Sequence, residues 1–179
     1  MSPSSTLPLL IGALKPPMAE VLAAASLAPF LIGLALYPLV AIRFDLRQLL
    51  TGGGDHWIAG GALAISTLAA AHLAATAHSL GIDAAGELVL KHAAVALWLA
   101  AVLWLPVLVT AEVLHPRLRH DRRRWSSVFP VGMYCTCSIA VGRLIDSGAI
   151  ISVARISLWI ALAVWLTTAV AEVRSLVTR

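Results

Sequence analysis

Long runs without a charged residue limit this chain more than any other feature. From Val21 to Ile42, from Trp57 to Leu80 and from His92 to Ala111 there is no Asp, Glu, Lys or Arg. A helix rises about 1.5 Å per residue, so about twenty such residues cross a hydrocarbon core of roughly 30 Å. Ser126 to Leu144 and Ile150 to Val170 are also long enough, and their only charges are Arg143 and Arg155 near span ends, where a long side chain can snorkel. Lipid leaves no partner for an unpaired backbone group, which favours helices. The expected fold class is all-α: a polytopic transmembrane helix bundle of about five spanning helices. The composition agrees, with 60% hydrophobic and 12% charged residues, about half the charged share of a soluble domain. A soluble enzyme is excluded on that ground. Disordered, collagen-like and disulfide-scaffold classes go too, because the apolar content is high, no Gly-X-Y period exists and there are two cysteines.

Residues 1–19 read as an N-terminal tail, 20–172 as the transmembrane domain and 173–179 as a C-terminal cytoplasmic tail. Within the first segment, Leu7 to Leu14 is apolar but too short to span, and no basic residue precedes it as in a secretory signal. Thr51 to Asp55 reads as a flexible turn, Gly81-Ile82-Asp83 as a tight one and His115 to Arg124 as a charged loop. Alternating the sides of five spans places Arg43, Arg47, Arg117, Arg119, Arg122, Arg123, Arg124, Arg174 and Arg179 together. The opposite side holds Lys15, Lys91, Arg143 and Arg155. Lys and Arg accumulate on the cytoplasmic side, so the C-terminus is expected inside and the N-terminus outside a plasma (inner) membrane. The formal charge of +4 then reports orientation, and nucleic acid is not an expected partner.

The spans are of two kinds. The first, third and fifth are rich in Leu, Val, Ile and Trp; the second and fourth are rich in Gly, Ala, Ser and Thr. Lipid-facing helices suit the former composition, and closely packed or path-lining helices the latter. On the second span Gly60, Ala64, Thr67, Ala71, Ala74 and His78 share a face. That face is either a small-residue seam for helix packing or the wall of a narrow conduit. On the fourth, Phe129, Gly132, Thr136 and Arg143 share a face at i, i+3, i+7 and i+14. Pro130 has no amide hydrogen and crowds the carbonyl of Ser126, so it kinks the helix if Ser126 is already helical. A kink beside Phe129 and Gly132 makes a constriction; alternatively Pro130 opens the helix and Phe129 packs in the core.

No Asp or Glu sits at the centre of a span, so neither a carboxylate proton relay nor an acidic ring for cations is built in. Passage of anions or neutral solutes fits better. Arg143 at the outer mouth raises local anion concentration, or serves topology alone. His72, His78 and, on the third span, His92 invite comparison with haem ligands, yet six residues along one helix set His72 and His78 about 240° apart. Cys135 and Cys137 read as small packing residues. No cofactor is expected, and the absence of phosphate-loop, nucleophile-elbow or metalloprotease motifs argues against an enzyme.

Three segments resemble the tellurite-resistance and C4-dicarboxylate transporter family, whose relatives include the slow anion channels of plant guard cells. His56-Trp57-Ile58-Ala59-Gly60-Gly61-Ala62-Leu63-Ala64-Ile65-Ser66-Thr67-Leu68-Ala69 is similar to the family's aromatic pair, glycine and Ala-Ile-Ser-Thr-Leu-Ala. Trp104-Leu105-Pro106-Val107-Leu108 resembles its Trp-Ile-Pro-Leu-Leu element. Trp125-Ser126-Ser127-Val128-Phe129-Pro130-Val131-Gly132-Met133-Tyr134 is similar to its Trp-x-x-Val-Phe-Pro-Leu-Gly-Met-Tyr signature. Gly60 stands where the family has Met, and Val131 where it has Leu. The likeness is to the family's C-terminal half, the last five of ten helices. It implies that the second and fourth spans are inner helices beside a central pore and that Phe129 occludes it. With the shared faces described above, the candidate lining is Gly60, Ala64, Thr67, Ala71, Phe129, Pro130, Gly132 and Thr136, with Arg143 as mouth charge. The expected partners are the lipid bilayer, a small anionic solute such as a dicarboxylate or inorganic oxyanion, and further copies or a subunit supplying the other half. The competing expectations are a non-transporting subunit and a haem-binding anchor.

Overall fold

A computed structural model describes residues 16–43, 56–114 and 125–177. The Leu7 to Leu14 run, the Thr51 to Asp55 turn and the His115 to Arg124 loop lie outside the described residues. The elements are α1 (Pro16–Ile42), α2 (His56–Thr76), a 3₁₀ turn (His78–Leu80), α3 (Ala84–Leu114), α4 (Trp125–Leu144) and α5 (Gly148–Val177). There is no strand among the described residues. All five α-helices are long and apolar enough to span a membrane.

Three of them, α1, α3 and α5, outrun the hydrophobic stretches from which they were expected. α3 begins well before His92, because Asp83 caps it: its Oδ1 accepts the Gly86 amide at 2.8 Å, and its carbonyl accepts the Glu87 amide at 2.9 Å. With 31 residues α3 is about 46 Å long, which requires tilt or projection into the headgroups. α5 likewise starts at Gly148 behind Ser147 and continues through Val177. The two tight connections end their helices in the same way. The Ile82 amide reaches back to the Ala77 carbonyl at 2.9 Å and the Ser147 amide to Gly142 at 2.7 Å. Gly81 and Asp146 take the left-handed position, at φ 72° and 55°, as in a Schellman cap.

α2 packs against α1, α3 and α4, and α4 against α2, α3 and α5. The share of each span that is buried follows: 44% for α2 and 39% for α4, against 6% for α1, 17% for α3 and 11% for α5. The two small-residue helices are the inner ones, and the Leu- and Trp-rich helices flank them. Without a hydrophobic drive inside lipid, close backbone approach and interhelical hydrogen bonds hold such contacts. Ala64, Ala70, Ala94 and Ala101 are wholly buried where α2, α3 and α4 meet. The Tyr37 hydroxyl donates to the Ala59 carbonyl at 3.2 Å, joining α1 to α2. Trp98 Nε1 donates to Ser138 Oγ at 2.9 Å, joining α3 to α4. Trp57 Nε1 donates to Glu112 Oε2 at 3.1 Å, joining the start of α2 to the end of α3.

Candidate functional site

The residues singled out from sequence fall into two groups that the fold keeps apart. Gly60, Ala64, Thr67 and Ala71 are all buried, with Thr67 and Ala64 wholly so. A Cβ on Gly60 would stand 2.7 Å from Leu108 Cδ1 on α3 and 2.7 Å from the Tyr134 hydroxyl on α4. Ala71 packs with Ala70, Ala94 and Val141. Thr67 Oγ1 donates to the Leu63 carbonyl at 2.8 Å, which satisfies it within its own helix. This face of α2 is the seam that receives α3 and α4. The open face of α2 is a different one: Ile58, Ile65 and His72, seven residues apart and exposed.

The residues of α4 lie the other way. Phe129 is 58% exposed, Thr136 and Arg143 are exposed and Gly132 is half-buried. Phe129 does not enter the core, and Pro130 does not open the helix, because α4 already includes Trp125 and Ser126. Pro130 is buried, its ring 3.1 Å from where a Cβ on Gly61 would be. The aromatic is therefore fixed on the outward side of a proline wedged against α2. Beyond it, a Cβ on Gly132 would meet nothing within 4 Å, so packing within this chain does not require glycine there. Thr136 Oγ1 donates to the Gly132 carbonyl at 2.9 Å and Arg143 ends the helix. α3 covers the Gly60 side of α2 and the Tyr134 side of α4. The open faces of both inner helices therefore lie opposite α3.

Sequence reasoning passed over two polar atoms behind this wall. Tyr134 Oη and Trp104 Nε1 are buried without a hydrogen-bond partner, and both rings border Gly60. The only signal was their place in the two resembling segments. Cys135 and Cys137 are buried free thiols, donating to the carbonyls of Val131 at 3.4 Å and Tyr134 at 3.3 Å. His72, His78 and His92 are exposed, and no cluster of three His, Cys, Asp or Glu able to hold a metal occurs among the described residues. On the α3 side a groove of about 840 Å³ runs between α3 and α5 over α4.

With this geometry in place, comparison with known proteins is informative. The voltage-dependent anion channel family (SLAC1) matches residues 1–173. The chain belongs to that family. The helical, multi-pass architecture and the resemblance of the Phe-Pro and Ala-Ile-Ser-Thr segments agree with that membership. Two uncharacterized membrane proteins of Mycobacterium tuberculosis, MT1776 and Rv1735c, are each 35% identical to it over 127 residues, covering 68% of this chain and 64% of theirs. The chain thus spans less than two thirds of the length of these curated relatives. No solved structure matches it.

Proposed function

We propose that the chain forms part of a pathway for small anions, dicarboxylates or inorganic oxyanions, with Phe129 as its gate. The observation that carries this reading is the open face of α4. Phe129 is exposed one turn before Gly132, where a Cβ would meet nothing within 4 Å, Thr136 follows one turn on, and Arg143 lies in the last turn. Passage needs no covalent chemistry or cofactor. A narrow bore set by Gly132 and Thr136, backbone dipoles and the Arg143 charge would supply selectivity. Gly60, Ala64, Thr67 and Ala71 serve this path from behind, as the seam that sets the distance between α2 and its neighbours. One open face is one wall, so the remaining walls come from other copies of the chain or from a partner subunit. In this reading the membrane is the plasma (inner) membrane, the C-terminus is cytoplasmic and Arg143 faces outward.

The test is anion flux into liposomes carrying the chain, with malate, chloride and nitrate measured separately. Phe129→Ala should raise flux several-fold for the permeant anion; unchanged flux in an active assembly removes the gate assignment. The close packing of α2 favours a second reading, a membrane subunit that transports nothing and joins partner helices. Folded protein without flux in either form, with partner helices captured by the open face, supports that alternative.

A further inference from the structure

The groove between α3 and α5 lies on the opposite side of α4 from Phe129 and has no part in the pathway proposed above. On α5 its lining runs from Ala149 to Thr168, on α3 from Trp98 to Glu112, and its floor is α4. At about 1.5 Å per residue the α5 wall is about 28 Å tall, close to the full depth of the hydrocarbon core. α3 and α5 hardly touch each other across it.

The walls are apolar in chemistry as well as in name. Val102, Leu105, Val131, Val153, Ile160 and Val164 line the length of the groove. Apart from the unpartnered hydroxyl of Tyr134, lining hydroxyls are engaged within the protein: Ser157 Oγ donates to the Val153 carbonyl at 2.9 Å, Thr168 Oγ1 to Val164 at 2.8 Å, and Ser138 Oγ receives Trp98 Nε1 at 2.9 Å. Polar groups gather at one end, where the Trp57–Glu112 pair and Ser127 border the groove. Size narrows the occupant further. The groove offers about 840 Å³, the scale of a small-molecule site.

We propose that this groove is a specific phospholipid site, in which the acyl chains of one bilayer lipid lie between α3 and α5 with the headgroup at the Glu112 end. A long apolar slot with one polar end has the shape and polarity of that ligand, and the chains would join two helices that the protein leaves apart.

The experiment is native mass spectrometry of the full chain, extracted from phosphatidylethanolamine/phosphatidylglycerol vesicles into mild detergent. One phospholipid per chain should remain bound. Ser157→Trp, which fills the middle of the groove, should lower its occupancy about tenfold. Ile156→Trp, at the neighbouring exposed position, should leave it unchanged. Equal retention in all three proteins overturns the site. A second measurement needs no substitution: a phospholipid with a photoreactive group along its acyl chain should label Val102, Val131 and Val164 more than the outward-facing Leu103, Ile156 and Trp159. Uniform labelling overturns the proposal. So does a disulfide between two Val153→Cys chains, because it places a second copy in the groove.

Discussion

Gly60 and Gly132 look alike in the sequence, each a small residue in a small-residue helix, and the structure gives them opposite roles. Gly60 is a contact. A methyl there would press on Leu108 and on the Tyr134 hydroxyl at 2.7 Å, so Gly60→Ala should destabilise the protein by about 1–3 kcal/mol through overpacking. The Tyr134 hydroxyl has no partner, and an unsatisfied buried group is costly. Tyr134→Phe should therefore be neutral or stabilising, and the cost of Gly60→Ala should be smaller in that background. Unfolding in detergent of the two single variants and the double variant checks this; additive effects would show that the hydroxyl does not limit Gly60. Gly132 is a hollow. Gly132→Ala should raise stability by up to about 1 kcal/mol from helix propensity alone, while reducing flux if the open face is the path. The sequence could not separate the two, because both sit among small residues and only the neighbouring helix decides what a missing side chain meets.

At the level of elements, the five spans were legible from hydropathy, since nothing else accommodates so many uncharged residues in succession. The ends were less so. Gly81 announced its turn, but Asp146 did the same work at φ 55° without a glycine to mark it. Asp146→Gly should leave the fold intact and stabilise the α4–α5 connection by up to about 1 kcal/mol, because glycine bears no left-handed penalty. The start of α3 lies ahead of the uncharged stretch for a related reason. Hydropathy sees the lipid-embedded stretch, whereas the helix begins where Asp83 accepts the Gly86 amide. Replacing Asp83 by Ala should cost about 1 kcal/mol and fray the first turn of α3, measurable as faster amide exchange from Ala84 to Leu88.

For the whole molecule, the inner and outer order of helices rests on α2 fitting between α1, α3 and α4. Thr67 is fully buried in that seam, so Thr67→Leu should impair folding by about 1–3 kcal/mol, read as loss of the monodisperse detergent-purified species. A pore-lining Thr67 would instead leave folding unchanged and block flux. The proposed orientation is testable in the same framework. Cysteine placed at Asp146 in a cysteine-free chain should react with an impermeant reagent from outside the cell, and cysteine at Ser175 should not. By itself the sequence determined that the chain spans a membrane in five helices, which of those helices are inner, and the family, because charge exclusion, side-chain size and the Phe-Pro segment are properties of single stretches. Only the tertiary structure decided which face of each inner helix is closed. Gly60, Ala64, Thr67 and Ala71 turn inward and Phe129 and Thr136 outward, because α3 packs against one side of both inner helices, and a periodic face does not say whether its neighbour is a helix or a space.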